Sequence, residues 1–537
     1  MPDGRFPSRR SVVMARRGAV ATSQPLAAAA GLEILRRGGN AADAAVATAA
    51  TLAVVEPMST GVGGDAFALV YDPRTRRVHA LNASGRAPRA ATVEFYRSRG
   101  FRTMPETGIL SVTVPGAVDG WVALLEAFGT MTLADVLEPA IHYAREGFPV
   151  SERIAAAWAE KAELLLRHEA AARAYLIDGR PPRPGEVFRQ PELAATLEAI
   201  AAGGRDEFYE GELARRIASY CREQGGLLTL DDLRQNRPEW QEPIATTYRG
   251  YQVYQCPPNG QGLVTLLALN ILAGDDLAAL GWDSPDVWHL AIEAIKLAFA
   301  DGWAYIADPH YADVPVAALL SERYARARRA LIDPHRAMTA ATHGHPQSYD
   351  TVYLSVVDGE GRAVSFINSL YRPFGSGIVV EGTGICLQNR GALFSLDPAH
   401  PNALAPGKRP YHTIIPSLVL KDDEWLLCFG VMGGLMQPQG QLQVLLNLLD
   451  FGMDVQEALD APRFRYLEGS RVWLEPGLDA RVGQTLRARG HDACVPALGS
   501  ADATGGFGGG QVILRDPRSG VLFAGSDPRK DGLAIGY

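Results

Sequence analysis

The chain has 537 residues, 47% of them apolar, and a net charge of −8, so it can bury a sizeable core and lacks the basic balance of a nucleic-acid-binding surface. Its five cysteines, Cys221, Cys256, Cys386, Cys428 and Cys494, are scattered without C-x-x-C spacing, which argues against a zinc finger and predicts buried free thiols. No apolar stretch of signal-peptide type follows the basic residues near Met1, and the Ala/Thr-rich run from Ala44 to Val55 is too short to span a bilayer, so a cytoplasmic protein without a membrane partner is expected.

In chain order, a helical pattern from Pro25 to Arg37 is closed by Gly38-Gly39. Asn40 suits the N-cap of a second helix to about Val55, with Asp43 in its first turn. Gly61-Val62-Gly63-Gly64-Asp65 is glycine-rich, but no Lys-Ser/Thr follows; a close backbone approach before a strand from Ala66 to Tyr71 fits better than a phosphate loop. Val78 to Ala83 and Ser111 to Gly116 read as strands, and Ala117 to Phe128 as a helix. Helical periodicity dominates from Leu133 to Tyr220, broken by a loop over Gly179 to Gly185. Trp240 to Cys256 returns to strand character, and Pro257 to Gly262 turns into two helices ending near Ile306. The basic run Arg323 to Arg329 predicts a solvated helical face. His343 and His345 lack a third ligand nearby, so no metal site is expected there.

Tyr349 to Asp358 and Arg362 to Ser369 are β-branched and aromatic runs around a short glycine-containing turn, the pattern of an antiparallel hairpin. With the turn centred on Glu360, Thr351 falls opposite Ser369, and directly opposed residues have Cβ atoms about 4.5–5.5 Å apart. A slip of one residue would separate the two hydroxyls. The tract Thr342 to Ser348 upstream reads as an exposed linker. A Thr at such a junction can become a chain N-terminus, whose own α-amine serves as base for its hydroxyl. The residues alone leave open the plainer reading, in which Thr351 is present for β-propensity. Further on, Ser417 to Lys421 and Glu424 to Phe429 form a second hairpin around Asp422-Asp423, and Gln441 to Leu449 is helical. Gly433-Gly434 therefore lies between a strand and a helix N-terminus, where free N–H groups favour a developing negative charge; a simple turn is the other reading.

Thr351 with Ser355-Val356-Val357-Asp358, then Phe374-Gly375-Ser376-Gly377-Ile378, resembles the γ-glutamyltranspeptidase family of self-processing N-terminal-nucleophile hydrolases. Gly38 to Ala45, Lys408-Arg409-Pro410, Gly433-Gly434, Ala461 to Phe464, Ser526 to Arg529 and Gly536-Tyr537 match in the same order, so the likeness spans nearly the whole chain. The resemblance implies an α+β fold, the four-layer αββα sandwich, made from a large subunit 1–350 and a small subunit 351–537 of one precursor. It implies cleavage between Asp350 and Thr351, Thr351 as nucleophile, Ser369 steadying it, and the Gly433 and Gly434 amides holding the oxyanion. No metal or organic cofactor is implied, and the partners are a small amide or peptide substrate and the two fragments themselves; homo-oligomerisation stays open.

The acyl pocket departs from the family pattern. The Ser pair that grips the α-carboxylate is His412-Thr413 here, the usual Arg is absent, and Arg86 two residues on is its candidate substitute. The positions that hold the α-ammonium are Tyr371, Arg390 and Leu393, so an acid is lost and a cation gained. The loop before Lys408 is shorter than in many relatives, implying an open site. The first functional expectation is cleavage of γ-glutamyl amides such as glutathione-like donors. The alternatives are an acylase for an oxamate, glutaryl or cephalosporin-type acyl group, and a silent binding protein, against which the intact Thr351, Ser369 and Gly433-Gly434 argue.

Overall fold

The computed structural model describes residues 10–339, 351–478, 480–497 and 506–537. Its centre is two seven-stranded antiparallel sheets. One has the order Leu533–Gly536, Ala19–Thr22, Val352–Val357, Ala363–Ser369, Asp65–Asp72, Arg77–Ala83 and Glu239–Gln241. The other runs Val13–Ala15, Leu522–Ser526, Gly509–Arg515, Glu424–Met432, Ser417–Lys421, Tyr251–Gln255 and Ile244–Tyr248.

Side chains alternate across a strand, so each sheet feeds two cores. Phe67, Tyr353, Ile367, Leu418, Cys428 and Ile513 pack between the sheets. Val352, Leu354, Val356 and Phe366 point the other way, onto helices including Pro25–Arg36 and Ala41–Val55. Val253, Val419, Phe429 and Val512 do the same on the second sheet, towards Gly262–Leu272 and Met436–Leu449, with Pro285–Tyr305 packed on Gly262–Leu272 behind them. The result is the expected αββα sandwich. Burial on both faces explains why the Thr351 hairpin reads as a continuous apolar run rather than as an alternation.

The helix over Ala41–Val55 starts where expected: Asn40 accepts from the Ala42 and Asp43 amides, and Asp43 answers to the Asn40 N–H. All its residues are buried, which is what its Ala/Thr composition serves. The glycines at 63 and 64 do permit close approach, since a Cβ there would lie 2.1 Å from the Cys386 carbonyl oxygen and 2.5 Å from that of Ser369, respectively.

Three expectations need correction. Ser111 to Gly116 joins no ladder; Ile109–Ser111 is a single 3₁₀ turn, and the residues after it run along the Arg86 segment through one bond, Val114 N–H to the Arg86 carbonyl. The helix expected from Gln441 begins at Met436, because its first turn is polar and Gly/Pro-containing and so lacks apolar periodicity. Cys494 is exposed, while the other four cysteines are buried free thiols. No helix among the described residues is long and apolar enough to cross a membrane.

Candidate active site

The hairpin has the register expected of it: Val352 opposes Asn368, so Thr351 sits one step further, facing Ser369. The two hydroxyl oxygens are 3.2 Å apart, and Thr351 is buried, with 1% exposure. The Tyr371 N–H donates to Ser369 Oγ at 2.8 Å, so the Ser369 proton stays available to Thr351 Oγ1; either hydroxyl can donate in their contact. Tyr371 adopts φ 80°, a left-handed turn that is uncommon for a tyrosine and folds its amide back onto Ser369.

On its other side Ser369 pairs with Asp65 of the neighbouring strand. Asp65 accepts from the Gly85 N–H at 2.8 Å, from Gln388 Nε2 at 2.9 Å and from His412 Nε2 at 3.0 Å. The Ile414 N–H donates to His412 Nδ1, so the ring carries its proton on Nε2. Burial, together with the nearby Arg390 charge, pushes the His412 pKa down to about 3, so the ring is neutral at ordinary pH. His412 is thus committed to Asp65.

Arg390 is fully buried in the turn Arg390–Leu393. Its guanidinium lies 4.6 Å from the centre of the Tyr371 ring, and Nη1 donates to Thr413 Oγ1 at 2.7 Å. Nε and Nη2 have no hydrogen-bond partner among the described residues. Burial lowers the pKa to about 10, with the Asp65 charge acting against that shift, so the group stays cationic at neutral pH. Thr413 in turn offers its carbonyl to Gln261 Nε2, which also donates to the Gly434 carbonyl. Thr351, Ser369, Tyr371, Arg390, Thr413, Gln261 and Gly434 therefore form a chain of direct contacts from the hydroxyl to the diglycine.

Gly433 and Gly434 join the Glu424–Met432 strand to the Met436–Leu449 helix with φ values of 130° and 59°, backbone that a Cβ would strain. The Met436 N–H bonds the Gly433 carbonyl at 2.9 Å. In a trans peptide the N–H points opposite the C=O, so the Gly434 N–H is turned away from the helix. Neither diglycine N–H donates to an acceptor among the described residues.

Of the residues named from the sequence, the fold brings Thr351, Ser369, Tyr371, Arg390, Thr413, His412 and the diglycine together. Sequence reading misses Asp65, Gln388 and Gln261, of which only Asp65 carries a local signal, its place after the glycine-rich approach. Arg86 lies outside the group: its guanidinium is 2.6 Å from Glu239 and 3.6 Å from Asp308, two acids that draw it away. Arg372 is taken up by Glu106. Asp350, His343 and His345 lie outside the described residues. The described group that could hold a metal is His289, Glu293 and His491. There His289 Nδ1 and His491 Nε2 are 2.8 Å apart and Lys296 Nζ is 2.7 Å from Glu293, so a protein cation already meets the carboxylate.

The family model described as gamma-glutamyltranspeptidase matches residues 27–537. A glutathione hydrolase-like YwrD proenzyme of Bacillus subtilis is 42% identical, covering 95% of this chain and 97% of its own. An oxamate amidohydrolase proenzyme of Klebsiella pneumoniae is 40% identical, with the same coverage of 95% and 97%. The crystal structure of a cephalosporin acylase from Bacillus halodurans superposes with a TM-score of 0.94 at 48% identity, over 99% of this chain and 98% of that one. Sandwich and whole-length match agree: the chain belongs to the gamma-glutamyltranspeptidase family of N-terminal-nucleophile hydrolases and is an enzyme.

Proposed function

We propose that the protein is a self-processing amide hydrolase whose nucleophile is Thr351, acting on donors with a short acyl chain that ends in a carboxylate and lacks an α-ammonium. In the precursor, Thr351 Oγ attacks the Asp350 carbonyl carbon, the peptide C–N bond breaks, and an ester with a free Thr351 amine results. Water hydrolyses that ester, leaving Asp350 with a carboxylate and residues 1–350 and 351–537 as large and small fragments. In the mature enzyme the α-amine takes the hydroxyl proton as Oγ attacks the substrate amide, then passes it to the leaving amine. The Gly433 and Gly434 amides receive the oxyanion, and water releases the acid. The contact that supports this reading is the 3.2 Å meeting of the Thr351 and Ser369 hydroxyls. Relatives named as proenzymes support the processing step.

Arg390 supports the choice of acyl group. An ammonium brought beside it would meet a like charge, whereas a carboxylate would satisfy its Nε and Nη2 through a bidentate pair. Relatives named for oxamate and cephalosporin chemistry are compatible with such acids. Mass spectrometry of purified protein should show two fragments, the smaller starting at Thr351, and Thr351→Ala should stay one inactive chain. An intact wild-type chain that turns over amides would sink the mechanism. On matched p-nitroanilides, glutaryl or oxalyl donors should exceed γ-glutamyl in kcat/KM, and Arg390→Gln should remove the difference. A γ-glutamyl preference untouched by that change would refute the acyl assignment alone.

A further inference from the structure

Gln261 occupies the N-cap position of the Gly262–Leu272 helix, yet its side chain does not cap it. It is fully buried and spent elsewhere. Nε2 donates to the Thr413 carbonyl at 2.6 Å and to the Gly434 carbonyl at 2.8 Å, and Oε1 accepts from the Tyr411 hydroxyl at 3.1 Å. Two carbonyl partners require the NH₂ end there, so the amide has one possible orientation and both of its protons are used. Tyr411 is itself held flat against Trp303, ring centres 4.7 Å apart at 15°. The Gln261 main chain is tied to the same segment, its N–H donating to the His412 carbonyl at 2.9 Å.

The two carbonyls belong to the two working parts of the site. Thr413 carries the hydroxyl that holds Arg390, and Gly434 is half of the diglycine. Two glycines in succession have many backbone states, and the Met436 N–H on the Gly433 carbonyl restrains only the first peptide. The Gly434 carbonyl is held by the Gln437 N–H at 3.2 Å and by Gln261, which is the bond that reaches across from the other subsite.

We infer that Gln261 is a positioning residue that locks the oxyanion loop to the acyl pocket, keeping the diglycine amides aimed at the carbonyl of an acyl chain anchored on Arg390. This rests on the function proposed above. Its signature is a selective loss of transition-state binding, because the ground-state carboxylate still meets Arg390.

The test uses the processed enzyme with Gln261→Met, of similar length but without donors, and Gln261→Glu. Kinetics are read on glutaryl-p-nitroanilide, or on the γ-glutamyl compound if that is the donor turned over. The probes are 4-boronobutanoic acid, which forms a tetrahedral adduct with the nucleophile, and glutarate, which cannot; the 2-amino analogues replace them in the γ-glutamyl case. Gln261→Met should lose about tenfold or more in kcat and in boronate affinity, while KM and glutarate inhibition stay within about threefold. Gln261→Glu should be impaired at neutral pH and gain kcat, relative to wild type, as the pH is lowered, because only the protonated acid can donate to a carbonyl. Wild-type kcat in Gln261→Met, or equal weakening of boronate and glutarate, overturns the inference. If Gln261→Met does not fold, a Gln261→Glu profile parallel to wild type overturns it. Activity surviving in Thr351→Ala would instead remove the underlying reading, whatever Gln261 does.

Discussion

Ser369 is held by the Tyr371 N–H and has one proton left to give, and Thr351 Oγ1 lies within its reach. In the proposed mechanism, a hydroxyl placed this way would steady the Thr351 oxygen as it gives up its proton. Ser369→Ala should therefore slow turnover by about ten- to a hundredfold, equivalent to about 1–3 kcal/mol of barrier, without unfolding the protein. Wild-type rates in that variant would mean the contact does no catalytic work. Arg390 invites a different measurement. Burying a guanidinium with two unsatisfied nitrogens costs stability, and under the proposed acyl assignment a bound acid would offset that cost. Glutarate at a hundred times its Kd should stabilise the wild type by about 2.7 kcal/mol, seen as a raised Tm, and should leave Arg390→Gln unmoved. An equal Tm rise in both proteins would place the acid elsewhere. At this scale the pair Thr351 and Ser369 was legible, because hairpin register is local. The role of His412 was not: its place at the family's Ser pair implied substrate contact, but both its nitrogens are spent on Asp65 and Ile414.

Among the elements, the helix Pro285–Tyr305 presents His289, Glu293 and Lys296 on one face, one and two turns apart. They grip the segment before residue 340: His289 Nε2 meets the Asp333 carbonyl, Lys296 Nζ donates to the Met338 carbonyl, and Glu293 accepts the Met338 N–H. His491 closes the group. Burial pushes its pKa from 6.5 down to about 3, so it is neutral when folded. An unfolded chain takes up a proton at this histidine below about pH 6.5, so the stability it contributes is present above that value and lost as pH falls towards 3, at about 1.4 kcal/mol per pH unit. Denaturant titrations at pH 7, 6 and 5 should show a steeper loss for wild type than for His491→Gln. Parallel slopes would mean that His491 is protonated in the native state. This cluster escaped the sequence reading because position 491 is remote from the helix; the helix start at Met436 escaped it because Gln437, Pro438, Gln439 and Gly440 carry no apolar stripe.

For the whole molecule, the order of strands matters more than any single contact. Val352–Val357 and Ala363–Ser369 lie between Ala19–Thr22 and Asp65–Asp72, so residues from both sides of the expected cut alternate within one sheet. The second sheet also mixes the two halves. Neither half can complete a core alone, since each would expose unpaired strand edges and both apolar faces. After processing, the two fragments should elute as one particle in native gel filtration and separate only in denaturant. Free fragments in native buffer would contradict that expectation. What the chain determined by itself is what short-range chemistry can encode. The β-branched and aromatic runs and the turn at Glu360 put Thr351 against Ser369, Asn40 with Asp43 started a helix, and ordered motifs marked the family. Tertiary structure alone decided the setting of Thr351. Arg390, Thr413 and Gly434 could be named only through the family's motifs, and Asp65 and Gln261 were not named as site residues, because all five come from distant segments and meet through side-chain bonds that leave no periodicity in the sequence.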